Sequence, residues 1–249
     1  MPYTVAALYR FVPLPDAADL RDALERRCVE LGILGTLLLA REGINGTIAG
    51  SAAGMATLLS ELRDGPLFGE RLRDLDVKLS RAEAAPFAHL KVRVKREIVT
   101  FDDGATDAGE AGTPVPPEAW NALLDTPGLL LLDTRNAFEV NLGTFEGATD
   151  PHLSRFSDFR AYVDGLDPAE HPAVAMFCTG GIRCEKAGAY MRAKGFGTVH
   201  HLEGGILRYL ETIPEAESRW RGDCFVFDHR IALGPGLVER PDHDPETLR

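Results

Sequence analysis

Along the N-terminal part of the chain, the spacing of apolar side chains switches repeatedly between a strand-like and a helix-like period. Residues 3–14 (YTVAALYRFVPL) form an apolar-rich run that ends among prolines, which predicts a strand. From Asp16 onward Leu20, Leu24, Cys28 and Leu31 recur at three- and four-residue intervals, one face of a helix. Asp16 is placed as its N-cap and Gly32 as its stop. An apolar run at 37–40 leads into Glu42-Gly43-Ile44-Asn45-Gly46 and then Thr47-Ile48-Ala49. The Asn45-Gly46 pair predicts a tight turn, because both residues tolerate positive φ. Met55, Leu58, Leu59 and Leu62 predict a second helix, and segments 75–79 and 90–94 alternate as strands. The β-α-β-β-α-β order predicts a ferredoxin-like α+β sandwich over residues 1–101.

Residues 102–116 (DDGATDAGEAGTPVP) carry no apolar period and are rich in Gly, Asp and Pro, so a linker is predicted there. Beyond it, Pro116, Pro117 and Glu118 open a helix signal, with Trp120, Leu123 and Leu124 behind them. Three apolar runs, 128–133, 173–178 and 198–202, read as the buried strands of a parallel sheet. Helical patterns at 156–163 and 186–192 lie between them. Strands alternating with helices predict an α/β domain over 117–220, with ligands at the carboxyl ends of its strands. Residues 221–249 follow as a C-terminal extension.

Composition narrows the class. With 45% hydrophobic and 26% charged residues in 249, the chain is globular, one large domain or two small ones, and neither disordered nor fibrous. Apolar runs such as Leu129 to Leu132 fall far short of the ~20 residues of a membrane span. The start, Met1-Pro2-Tyr3-Thr4, lacks a basic stretch leading into an apolar one. A cytoplasmic location and no membrane partner are expected. The net charge of −11 argues against indiscriminate coating of nucleic acid, but it is uneven. Residues 1–103 hold 14 Lys+Arg against 15 Asp+Glu, and residues 104–249 hold 13 against 23. Four scattered cysteines make no disulfide framework, and without a C-x-x-C pair no metal site is expected. Cys28, on an amphipathic helix face, reads as packed and inert.

The chemistry concentrates after the strand at 173–178. Cys178 ends that strand and is followed by Thr179, Gly180, Gly181, Ile182, Arg183 and Cys184, where a helix begins. A helix N-terminus turns unpaired amides and a positive dipole toward such a cysteine, which favours the thiolate. Two glycines let successive N–H groups converge on an anion, and Arg183 adds a cation. Four residues separate Cys178 from Arg183, one fewer than in cysteine-dependent phosphatases, so the cradle suits a terminal sulfur or compact oxyanion. Burial of Cys178 as filler at a strand end is the alternative.

Cys178-Thr-Gly-Gly-Ile-Arg183 resembles the C-x-x-G-x-R active-site loop of rhodanese-like domains. Leu132-Asp-Thr-Arg135, Gly143 to Ala148 and Leu202-Glu-Gly-Gly205 are similar to that family's other elements, with Thr144 in place of a common histidine. Over roughly residues 3–235, Glu42 to Thr47, Lys91 to Ile98, Asp133 to Asn136, Cys178 to Lys186 and Gly222 to Asp228 follow one another in order. Together they resemble the bacterial tRNA uridine hydroxylases, which install 5-hydroxyuridine at the wobble position in an oxygen-dependent reaction. The resemblance implies a ferredoxin-like N-terminal domain, a rhodanese domain and tRNA as substrate. It also implies molecular oxygen as co-substrate and Cys178 as the reactive cysteine, with Arg183 stabilising an anion and Thr179 to Ile182 forming the cradle. No bound cofactor is identified and the electron donor is not named. Members often continue into a cysteine-bearing tail, whereas no cysteine follows Cys224 here, so 221–249 is read as a shortened extension.

The residues leave several roles open. Lys91, Arg93 and Lys95 share one face of a strand, as a stripe for tRNA phosphates or as its solvated side; Arg41 and Asn45 have the same two readings. Cys184 is a resolving thiol for Cys178 or a buried helix residue. Asp133 and Arg135 are expected to brace the loop, and Arg183 could equally pair with Glu185 or another carboxylate. His200 and His201 fall within a strand, and Phe225 and Phe227 read as packing residues. Beside hydroxylation, the loop alone supports a rhodanese-type sulfurtransferase carrying a persulfide on Cys178. A binding module and a phosphatase rank behind.

Overall fold

The computed structural model describes residues 2–102, 104, 111–241 and 243. The chain forms two compact units, Met1–Gly104 with Phe227–Arg230, and Ala105–Val226 with Ile231–Arg249. The extension expected over 221–249 is therefore divided. Within the first unit, Arg230 pairs with Asp228 at 2.6 and 2.8 Å and donates to Ser80 Oγ at 2.7 Å, while the His229 amide donates to the Pro86 carbonyl. Residues 242 and 244–249 of that extension lie outside the described residues.

The first unit runs β1 (Tyr3–Phe11), α1 (Ala17–Glu30), β2 (Leu34–Ala40), β3 (Gly43–Gly50), α2 (Ala52–Asp64), β4 (Asp76–Ala82) and β5 (Leu90–Val94). The sheet order is β4-β1-β3-β2-β5. Its first four strands have the ferredoxin-like arrangement, and β5 adds a fifth, parallel to β2. Leu20, Leu24 and Cys28 of α1 and Met55, Leu58, Leu59 and Leu62 of α2 close a core over Leu8, Leu37, Leu39, Ile44 and Ile48. Gly32 ends α1 at φ +66°, whereas the Asp16 side chain makes no cap and instead binds Arg71.

Asn45-Gly46 is not the turn. Ala40 pairs with Gly43, so the hairpin turns at Arg41-Glu42, and Asn45-Gly46 lies inside β3. The glycine serves close approach instead: a Cβ on Gly46 would sit 2.1 Å from the Thr36 carbonyl oxygen. In β5 the expected alternation holds at Val92, which is buried, and fails at Val94, which is exposed at the strand's end.

The second unit runs β6 (Thr113–Val115), α3 (Pro117–Leu124), β7 (Leu129–Asp133), α4 (Ala137–Val140), β8 (Gly143–Phe145), α5 (Phe159–Asp164), β9 (Ala173–Phe177), α6 (Ile182–Ala193), β10 (Thr198–Leu202) and α7 (Gly205–Thr212). The short strands β11 (Trp220–Gly222), β12 (Cys224–Phe225) and β13 (Ala232–Leu233) follow. The main sheet, β6-β10-β9-β7, is parallel throughout. β6 lies inside the predicted linker; residues 103 and 105–110 of that linker lie outside the described residues. Pro114, which has no N–H to give, is tolerated there because β6 is an edge strand. Asp133 pairs with Phe177, so β7 and β9 end side by side with Asp133 next to the start of the cysteine loop. Phe145 of β8 meets Phe177, Tyr209 and Trp220 edge-on, at centroid distances of 4.7–5.2 Å, beneath that end of the sheet. Among the described residues, no helix is long and apolar enough to cross a membrane, and no group of three or more His, Cys, Asp or Glu could hold a metal ion.

Candidate active site

Cys178 leaves β9 fully buried, and α6 begins four residues later at Ile182. Gly181 takes φ +100°, a conformation open to glycine, and this curls the loop back over the sulfur. The Gly181 N–H donates to Cys178 Sγ at 3.1 Å, and the Gly181 carbonyl accepts the Cys184 N–H at 3.0 Å. Burial by itself raises the Cys178 pKa. The hydrogen bond from the Cys184 thiol, the Arg183 charge and the N–H groups of Arg183 and Gly181 outweigh it and bring Cys178 down to about 5. Burial and the adjacent Cys178 sulfur push Cys184 well above the usual thiol range. The balance of these causes favours the thiolate on Cys178 and the protonated thiol on Cys184.

Arg183 pairs with Glu139 rather than Glu185. Its two terminal nitrogens meet the carboxylate oxygens at 2.7 and 2.8 Å, a bidentate pair buried at the foot of the loop. Thr179 Oγ joins the pair, accepting from Arg183 at 3.2 Å. Burial would raise the Glu139 carboxyl, but Arg183 and Arg135 hold it below the usual carboxylate range. Glu139 has no place among the residues read from the sequence. The available signal is a lone acidic residue inside the apolar turn Ala137–Val140, where it also accepts the Asn136 N–H at 3.1 Å.

Asp133 and Arg135 form a second buried pair, at 2.9 and 2.6 Å. Arg135 also donates to the carbonyls of Gly143 at 2.6 Å and Glu139 at 3.3 Å, and Thr144 donates to Asp133 at 2.9 Å. This pair ties the end of β7 to α4 and β8, and thereby holds Glu139 under the loop. Thr134 lies 3.7 Å from Cys184 Sγ.

The loop is supported from its other side by Gly204-Gly205. The amides of Ile206 and Leu207, in the first turn of α7, donate to the carbonyls of Cys178 and Thr179 at 3.0 and 3.1 Å. Gly205, at φ +67°, permits that contact: a Cβ there would lie 2.6–2.7 Å from Cys178 O, Gly181 N and Thr179 O. Gly180 faces open space. The remaining thiols stand apart from this chemistry, since burial pushes both Cys28 and Cys224 up to about 12.

The sequence-derived basic residues belong to the first unit. Arg41, Lys91, Arg93 and Lys95 are exposed. Asn45 is not available in the same way: its amide donates to the Ile98 carbonyl at 2.8 Å and fastens that segment to β3, beside the bond from the Ile98 N–H to Glu42 at 2.7 Å.

A ferredoxin-like unit followed by a parallel α/β unit, with a cysteine in a strand-loop-helix cradle, defines a two-unit protein of mixed α/β class. Residues 3–98 match the family model described as a UPF0176 acylphosphatase like domain. A tRNA uridine(34) hydroxylase of Nitrobacter hamburgensis is 58% identical over 237 residues, covering 94% of this chain and 93% of the relative. One from Bradyrhizobium diazoefficiens is 57% identical, covering 95% and 93%. The chain belongs to the tRNA uridine(34) hydroxylase family. Among solved structures, a human single-domain sulfurtransferase is 21% identical with a TM-score of 0.35, covering 41% of this chain and 99% of the other.

Proposed function

We propose that this protein hydroxylates uridine 34 of tRNA at C5 with molecular oxygen, with Cys178 as its reactive residue. The observation that carries the reading is 58% identity to a protein of that name over nearly the whole of both chains, far beyond the cysteine loop. In this reading the thiolate of Cys178 sits in the cradle of Thr179 to Ile182, and Arg183 holds a positive charge beside it. Asp133, Arg135 and Glu139 keep that arginine and the loop in position. Exposed Arg41, Lys91, Arg93 and Lys95 supply cations for tRNA phosphates despite the acidic total. A cytoplasmic location goes with that substrate. The sulfurtransferase alternative rests on the cysteine loop alone.

The test is purified protein with unmodified tRNA transcript, oxygen and a thiol reductant, followed by nucleoside mass spectrometry. The expected result is 5-hydroxyuridine at position 34, absent under argon and reduced by about 100-fold or more with Cys178→Ser. A protein that leaves tRNA unchanged yet transfers sulfur from thiosulfate to a thiol acceptor overturns the reading in favour of the sulfurtransferase.

A further inference from the structure

The cation inside the cysteine loop is already paired. Both terminal nitrogens of Arg183 close on Glu139, and the guanidinium is buried. An RNA strand that reaches this loop therefore meets its cations outside it, and the sheet order shows where. β9 lies between β10 and β7, all parallel, so the loop at its carboxyl end is flanked by the chain leaving each neighbour. On the β10 side, Arg208 is the fourth residue of α7 and leans back over Gly204, where a Cβ would lie 2.4 Å from its Nε. The next residue, Gly205, is the one whose missing Cβ lets the cysteine loop close in. On the β7 side, residues 149–153 run beside the strand's end. Thr149 bridges Leu132, Leu153 bridges Asn136, and the Ala137 N–H donates to the Leu153 carbonyl at 2.8 Å. Arg155 follows two residues on. Between these flanks the loop has room at Gly180, where a Cβ would meet nothing within 4 Å.

Both arginines reach solvent, with side chains 80% and 39% exposed for Arg155 and Arg208. Stability does not account for their placement. Residues 104–249 hold 13 Lys+Arg against 23 Asp+Glu, and a cation in the first turn of α7 opposes the dipole of that helix. Asp158 stands 3.6 Å from Arg155, and Glu203 stands 4.0 Å from Arg208. Exposed pairs of this kind contribute little, and a phosphate displaces such a carboxylate without stranding a buried charge. We propose that Arg155 and Arg208 hold the RNA phosphates on either side of the nucleotide presented to Cys178. This rests on the hydroxylase reading. Contacts of guanidinium with phosphate position the strand and carry no sequence information. Their task is to set one nucleotide against the loop, within a unit whose total charge is acidic.

The experiment uses the full-length protein and unmodified tRNA transcript. Affinity is read by fluorescence anisotropy across a salt series, and hydroxylation by nucleoside mass spectrometry across tRNA concentrations. Arg155→Ala and Arg208→Ala should each raise the KM for tRNA about 5–10-fold, with kcat kept within about twofold. Each should also reduce the slope of log affinity against log salt by about 1. Arg155→Lys and Arg208→Lys should recover most of both effects, since a lysine serves a phosphate as a point charge. Arg192 is an exposed cation in the last turn of α6, and Arg192→Ala should change neither quantity. Alkylation of Cys178 should keep its wild-type rate in every variant, which a loss of loop support would alter. A wild-type KM and slope in either alanine variant, or an equal loss with Arg192→Ala, overturns the pair and leaves the hydroxylase reading standing. Absence of 5-hydroxyuridine from wild-type protein contradicts the hydroxylase reading, whereas the salt slopes judge the two arginines on their own.

Discussion

A thiol acts as a nucleophile at neutral pH only where something holds it ionised, and the cradle around Cys178 does so with two amides, an arginine and a neighbouring thiol. The sign of the effect sets its pH dependence: with Cys178 brought down to about 5, the thiolate is present above that pH and lost below it. Isotope-coded alkylation across pH 4 to 9 should therefore show Cys178 labelled with a midpoint near about 5, while Cys28 and Cys224, pushed up to about 12, stay unlabelled in the folded protein. The buried Arg183–Glu139 pair makes a second expectation. Glu139→Gln leaves a buried guanidinium without its counter-charge, which should cost about 3 kcal/mol in urea unfolding. Cys178 is legible in the sequence because its strand, glycines, arginine and helix start lie within six residues. Glu139 is not, because its partner is 44 residues away and only the fold joins them.

At the scale of elements, the parallel strands and the two ferredoxin-like helices are legible in their apolar spacing, since each buries a face that its period marks. Two elements escape that logic. Asn45-Gly46 has turn chemistry, but the strand partner's need for close approach decides its place. β6 is too short and polar to show a period and exists because β10 offers it an edge. The N-terminus of α7 has the most direct bearing on function. Gly205→Ala sets a Cβ against three backbone atoms of the cysteine loop at a positive φ, displacing the loop. Hydroxylation should fall by about 100-fold, with the far-ultraviolet circular dichroism of the fold retained. In β10, burial brings His201 down to about 4, so its neutral form is the folded one. The unfolded chain binds this proton at the ordinary value, ~6.5, so stability is lost as pH falls from there toward 4. His201→Gln should flatten that part of the melting-temperature profile.

For the whole molecule, the division of charge matters more than its total. The first unit is nearly neutral by count and presents Arg41, Lys91, Arg93 and Lys95 to solvent, while most of the net charge of −11 falls after residue 103. If two of these cations meet phosphates, Lys91→Ala with Arg93→Ala should weaken tRNA binding and reduce the slope of log affinity against log salt by about 1.5–2. An unchanged slope places the RNA elsewhere. The central claim is the reaction itself, and its most direct test is nucleoside mass spectrometry of tRNA from a bacterial strain deleted for its own uridine 34 hydroxylation. Wild-type protein should restore 5-hydroxyuridine and its derivatives, and Cys178→Ser should leave them absent. Restoration by neither protein, with both present and folded in the cell, would contradict the account.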